Sequence, residues 1–315
     1  MAFNVDDLSA YVEQNEKELV ASSILGAKTA DLIKQGGNVM VGVKSSKTIN
    51  TMDTDAIFQA GGSCGFSASG ETSFSQREVE VGKIKVNEAL CPSDLEDYYL
   101  QKALVSGSKY DSVPFEKEYA ERKASKIAAQ LEKAIWQGDK TSVDVNLNKF
   151  TGFIKLLSTE AGVVDSNHAD YGGTWSGSIT ISNALAIFEG VYRAIPAQVV
   201  DKDDMRIFCG QDAFRAYSVA LRNANLFHYS MDAAANSEFV LPGTNIKVVA
   251  VSGLNGSNKL YAMRLSNMYI GTDMLDEKEK FEIFHAKEAD EVRFDARFKF
   301  GVQVAFPDEI VRFKF

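Results

Sequence analysis

The sequence predicts an α+β protein built from one long amphipathic helix, one long alternating strand and a mixed lobe between them. Three stretches carry this prediction. "PFEKEYAERKASKIAAQLEKAIWQGD" (114–139) is helical in period, and "RFDARFKFGVQVAF" (293–306) alternates apolar with polar residues. Helix-like and strand-like segments alternate between about Thr174 and Leu265.

At 315 residues the chain has room for two domains, or for one body with an elaborated insertion. Its formal net charge of -9 gives no general electrostatic reason to grip nucleic acid or an anionic membrane. No apolar run reaches the length of a membrane span, and "MAFNVDDLSAYVEQNEKEL" lacks the basic head and apolar stretch of a signal peptide. Cys64, Cys91 and Cys209 lie far apart, which fits buried thiols better than a disulfide framework or a zinc site.

Taken in order, "DDLSAYVEQNEKELVASSILGAKTADLIKQGG" reads as helix. Leu8, Val12, Leu19 and Ile33 share a stripe, Lys34 sits in the last turn and Gly36-Gly37 stop it. Such an amphipathic arm docks on its own chain or on a neighbour. From Asn38 to about Ser112 short strands and Ser, Gly and Thr prevail. In "REVEVGKIKVNE", a two-residue turn at Gly82-Lys83 pairs Val81 with Ile84, Glu80 with Lys85 and Val79 with Val86. That pairing favours a hairpin over its rival, a single strand bulged at Gly82. A short helix follows at "SDLEDYYLQKAL", with Ser93 as N-cap.

The long helix starts at Pro114 and stops at Gly138. Phe115, Tyr119, Ile127, Leu131 and Ile135 form its ladder, beside Ala120, Ala124 and Ala128. We expect a narrow apolar side and the role of a structural spine. In the lobe, "SNALAIFEGVYRAIP" and "QDAFRAYSVALRNA" read as helices, and "MRIFCG", "IKVVAV" and "KLYAMRL" as strands. Near the end, Phe294, Ala296, Phe298, Phe300, Val302, Val304 and Phe306 line one face of a strand that Pro307 closes. The spine helix is the element long enough to lie across it.

Chemical motifs are few. Gly61-Gly62-Ser63-Cys64-Gly65 spells G-x-S-x-G, the nucleophile elbow of serine hydrolases. The elbow needs a helix directly after the serine, and "FSASGETS" is a poor start for one, so a Gly/Ser loop is the simpler reading. Asp201, Asp203 and Asp204 begin like a calcium loop, but Met205 and Arg206 stand where a ligand and a glycine belong. His168, His228 and His285 are isolated from one another and from the cysteines. We therefore expect no catalytic residues, no metal site and no cofactor.

Arms and hairpins make few contacts within their own chain and are stabilised when another subunit covers them. With that in view, five segments resemble the major capsid proteins of tailed bacteriophages, whose fold encapsulins share. They are "SFSQREVEVGKIKVNEALCPSDLE", "AAQLEKAIWQGD", "FTGFIKLL", "MRIFCGQDAFRAYSVAL" and "ARFKFGVQVAFPDEIVRF", in the family's order. The resemblance implies a helical arm (1–37), an extended-loop region with hairpin and short helix (38–112), a peripheral domain (113–173 and 266–315) and an axial domain (174–265).

It further implies a self-assembling shell subunit of a virion, enclosing double-stranded DNA as non-specific contents and assembled in the host cytoplasm. Its partners would be itself as hexamers and pentamers, a separate scaffolding protein, a portal and, optionally, a decoration protein, with no membrane. The first helix leaves no space for a fused scaffolding segment, so scaffolding is expected in trans if at all. Inter-subunit contact is expected at Glu78, Val79, Glu80, Val81, Lys83, Ile84, Lys85 and Val86, the four apolar residues being at least partly buried by the adjacent subunit and the four charged ones forming a polar rim. Axial contact is expected at Asn225, Phe227, His228, Tyr229 and Met231. An encapsulin-like compartment shell is the alternative within the fold, and a serine hydrolase using Ser63 the alternative outside it.

Overall fold

The computed structural model describes residues 26–59, 68–90, 115–224, 238–273, 280–286, 288–289 and 291–315. Most of the expected arm (1–25), the Ser63 motif, the short helix at 93–104 and the five expected axial residues lie outside them.

Strand β12 (Glu291–Val304) organises the first of two cores. Its even-numbered residues from Val292 to Val304 are buried, while Arg293, Arg297 and Lys299 point the other way, as period two requires. Three antiparallel partners flank it. β10 (Met268–Thr272) runs from Met268↔Val304 to Thr272↔Phe300, and β11 (Lys280–Ala286) from Lys280↔Arg297 to Ala286↔Glu291. β4 (Gly82–Leu90) takes the opposite edge over nine register pairs, from Phe300↔Gly82 to Val292↔Leu90. Two residues of β1 (Val39–Met40) extend the sheet beyond β10 in parallel.

β12 ends two residues earlier than the alternation suggests. Asn267 accepts from the backbone N–H groups of Ala305 and Phe306 (2.9 and 2.7 Å) and donates to the Phe306 carbonyl. This clasp turns the chain away, so Phe306 is exposed instead of continuing the buried face.

The long helix α2 (Phe115–Gln137) lies across this sheet; Tyr119 meets Phe294 edge-on at 6.4 Å. Its buried surface is much broader than the expected narrow side. Ile127, Leu131 and Ala134 face β4 and β12, while Glu132 and Trp136 are buried on the opposite flank. That second flank is covered by α1 (Lys28–Gln35) and by the turn Ser252–Leu254. Gly253 permits the approach, since a Cβ there would overlap the Glu132 carbonyl and the Trp136 ring. α3 (Phe153–Thr159) completes the layer, with the Phe153 ring tilted against Trp136 at 5.4 Å.

The second core surrounds a six-stranded sheet in the order β5-β13-β9-β6-β8-β7. Its strands are β5 (Val164–Asp165), β6 (Met205–Cys209), β7 (Glu238–Val240), β8 (Lys247–Ala250), β9 (Leu260–Arg264) and β13 (Val311–Phe313). Ile207, Val248 and Ala262 point toward α4 (Ala184–Ala194) and α5 (Gln211–Asn223), where Phe188 stacks on Tyr217 at 4.2 Å. Phe208, Val249 and Tyr261 point the other way and join the α2 core, with Phe208 5.3 Å from Trp136. Covered on both faces, these strands read as continuous apolar runs. The closing residues 311–313, grouped in sequence with the peripheral part, pair instead with β9 and β5 in this sheet.

The expected hairpin at Gly82-Lys83 does not form. β3 (Thr72–Glu80) pairs with β2 (Ser46–Thr54), from Ser46↔Glu80 to Thr54↔Thr72, and β4 pairs with β12. The chain passes from β3 through Val81 into β4 without a turn, leaving the two-stranded ribbon and entering the five-stranded sheet at Gly82. This is closer to the rival single-strand reading.

Candidate assembly surfaces

Two features of the chain stand out from its cores: the β2–β3 ribbon and a groove beside α2. The ribbon is exposed along most of its length. Ile49 and Thr51 are buried on it, and Thr51 donates to the Ser75 carbonyl at 3.2 Å. Farther out, Met52 and Phe74 sit opposite one another in register, 59 % and 75 % exposed. Beyond β2, Ile57 is 58 % and Phe58 99 % exposed. Four large apolar side chains clustered in sequence on one projection are the kind of surface that association covers.

The root of the ribbon is rigid. Val79 is fully buried and Val81 nearly so, both against Gly271 of β10, where a Cβ would crowd them. Gly301 of β12 lets the Glu80 carbonyl approach, and Gly82 admits the Lys149 carbonyl; a side chain at either position would overlap backbone. Gln303 donates to the Glu78 carbonyl at 2.9 Å. Arg77 pairs with Glu160 at 2.8 Å and Lys140 with Glu80 at 2.5 Å.

These contacts revise the expected roles of residues 78–86. Val79 and Val81 are covered by their own chain, so no neighbour is needed to bury them. Ile84 and Val86 are half-buried toward α2, and Glu78, Glu80, Lys83 and Lys85 are exposed. Glu80 meets Lys140 instead of Lys85. The apolar residues the sequence reading missed are Met52, Ile57, Phe58 and Phe74. Their one sequence signal is apolar side chains in otherwise polar, Ser-, Thr- and Gly-rich surroundings.

Elsewhere the polar groups serve structure. Glu132 accepts from the Thr29 backbone N–H (2.9 Å) and hydroxyl (2.6 Å), and Trp136 Nε1 donates to the same hydroxyl at 2.8 Å. Burial raises the Glu132 carboxyl above its ordinary value, against the lowering effect of these donors and of Lys28. At the junction of the two cores, Asp204 accepts from Arg264 Nε (3.1 Å) and from the Ser266 N–H and hydroxyl, while Arg264 reaches Glu309 at 3.2 Å. Burial opposes the Asp204 charge, but Ser266 and Arg264 outweigh it and hold the carboxyl below its usual range.

Cys209 is fully buried and its thiol pKa is pushed up by desolvation. His168 lies beside Asp170 at 3.2 Å, and the Asp201-Asp203-Asp204 turn sends Asp204 to Arg264. Among the described residues, no cluster of three His, Cys, Asp or Glu is arranged to hold a metal ion. No described helix is long and apolar enough to cross a membrane.

No protein-family profile and no curated protein matches the sequence. The three-dimensional comparison does match. The Satellite phage P4 procapsid, a structure that includes the size determination protein, superposes over 95 % of this chain and 90 % of its own, with a TM-score of 0.63 at 12 % identity. The fold is that of tailed-phage capsid proteins. Gordonia phage Cozz matches 90 % of this chain and 85 % of its own (TM-score 0.54, 9 % identity). The capsid of the Myoviridae phage XM1 matches 89 % and 90 % (TM-score 0.53, 15 % identity). These superpositions cover 89–95 % of this chain and 85–90 % of the matched chains, so the likeness is of the fold as a whole.

Proposed function

We propose that this chain is a major capsid protein, the self-assembling subunit of an icosahedral tailed-phage head that encloses double-stranded DNA. One observation carries the reading: a capsid fold from which a ribbon projects with exposed apolar side chains on a rigid root. An isolated chain gains nothing by presenting Met52, Ile57, Phe58 and Phe74 to water; a ring of copies gains a covered surface.

In this reading α2 is the spine helix, and the sheet of β10, β11, β12 and β4 forms the peripheral domain. The α4–α5 lobe is the axial domain, and residues 1–25 belong to the arm. The ribbon 46–80 is the extended loop and lies on the adjacent subunit within hexamers and pentamers, with Glu78, Glu80, Lys83 and Lys85 at the polar margin of that contact. Asn225, Phe227, His228, Tyr229 and Met231 contribute the axial contact. A separate scaffolding protein, a portal and, optionally, a decoration protein are the expected partners, and the assembled form is the virion.

Electron microscopy and sedimentation of the purified chain test this. Closed shells, or rings of five or six subunits, support the proposal, and co-expression with a scaffolding protein extends the test to chains that need one. A chain that remains monomeric under both conditions overturns it. Shells that enclose a co-expressed protein, with no DNA-packaging role, would instead mark a compartment shell.

A further inference from the structure

The second surface feature is an open groove of about 380 Å³ between β4, α2 and the segment 145–149. Its floor is apolar: Ile84 and Val86 from β4, Ile127 and Leu131 from α2, and Phe298 from β12. Its rim is basic. Lys85, Lys126 and Lys149 line it, and among the described residues none of the three has a carboxylate partner. A fourth, Lys123, is committed to Glu88.

Three ammonium groups with no carboxylate partner among the described residues, set around an apolar floor, are unusual on a chain of net charge -9 and pI near 5.0. A solvated lysine face would not need the floor. Nor would a nucleic acid, whose charges sit on a hydrated backbone and whose bases stack on aromatic residues, which this groove offers only as the buried Phe298. The chemistry that uses both floor and rim is an amphipathic segment with a carboxylate-rich polar side.

We propose that the groove is occupied by residues 1–25 of this protein. That segment carries five carboxylates (Asp6, Asp7, Glu13, Glu16 and Glu18) against one lysine, Lys17. Leu8, Val12 and Leu19 recur at spacings that gather on one helical face and match the floor. The internal segment 91–114 is a poorer complement, with four carboxylates against two lysines.

Reach is sufficient. Residue 26 leads directly into α1, which is pinned to α2 at Glu132 and Trp136, on the flank opposite the groove. The groove is therefore about 10 Å away across one helix, whereas 25 residues in helical form span about 37 Å. The segment can fill the groove of its own chain or of an adjacent copy. The inference does not rest on the shell reading, because either arrangement places the same residues in the same groove.

The test is carbodiimide cross-linking of the purified full-length protein, mapped by mass spectrometry on a mixture of isotope-labelled and unlabelled chains. We expect Lys126 and Lys149 to cross-link to carboxylates among residues 1–25; mixed-label products identify an exchanged arm. Lys126→Glu combined with Lys149→Glu should reduce recovery of links between the arm and Lys85, the remaining rim lysine, at least tenfold. Adding Glu13→Lys and Glu16→Lys should restore arm-to-groove links.

Because Lys126 and Lys149 are exposed on the rim, thermal melts of their variants should stay unchanged and separate lost docking from lost folding. Links from Lys126 and Lys149 confined to residues 91–114 or to the folded body would overturn the proposal. So would nuclease-sensitive protection of these lysines, which would mark a nucleic-acid site. Shell formation is scored separately, so failure of the shell reading and failure of arm docking give different results.

Discussion

Glu132 of α2 receives both the backbone N–H and the hydroxyl of Thr29, so a single buried carboxylate fixes the first described helix to the longest one. Trp136 donates to the same hydroxyl, and no member of the trio is left with an unpaired polar atom. Replacing Glu132 by Ala leaves the Thr29 N–H buried without its acceptor. The expected loss is about 2–3 kcal/mol, read from urea denaturation.

The same carboxylate sets a pH dependence. Its pKa in the folded protein is raised by burial, so the folded state holds the proton more tightly than the unfolded chain. Stability should therefore fall as pH rises from about 4.3 to the folded value, and level off above it. Glu132→Gln should flatten that part of the profile. Denaturation midpoints across pH check both statements.

Asp204 contributes in the opposite sense. With its pKa held below the usual range, its contribution is present above about pH 4 and disappears as pH falls through the folded value. Arg264→Ala should weaken this acid sensitivity by removing a partner of both Asp204 and Glu309. A stability profile of the variant that still drops as steeply in acid would contradict the assignment.

At the ribbon root the constraint is steric. Gly301→Ala places a methyl group against the Glu80 carbonyl, and because backbone must move, we expect a loss of about 1–3 kcal/mol. Calorimetry of the variant provides the value.

Phe58→Asp and Phe74→Asp should separate folding from assembly. Both side chains are largely exposed in the single chain, so stability should change by no more than about 0.5 kcal/mol. Particle yield, counted by electron microscopy, should collapse. Normal yield would remove the ribbon from the assembly surface.

What the sequence disclosed follows from how many faces each element buries. β12 and α2 are legible because each has a long periodic pattern set by the face it buries against the other. α4, α5, β6, β8 and β9 appear where expected, since runs such as "IKVVAV" mark strands covered on both sides. The hairpin at Gly82 was misread for a specific reason. The apolar parity changes from Val79 and Val81 to Ile84 and Val86, as a tight turn would produce. A strand passing from one packing surface to another produces the same change, with Val81 and Gly82 buried in succession. Only the long-range partners, Ser46 through Thr54 on one side and Gly82's register with Phe300 on the other, distinguish the two. The groove was equally hidden, because Lys85, Lys126 and Lys149 are brought together from three separate elements.

The unbroken run of backbone from Thr72 to Leu90 also has a mechanical meaning. A pull on the ribbon passes through Val81 directly into β4, along the axis of a strand held to β12 by nine register pairs. Such a load shears all nine pairs together, whereas a hairpin pulled at its open end would unzip them one at a time. The projection is therefore tethered like a lap joint, strongest along the direction in which a neighbour would tug it.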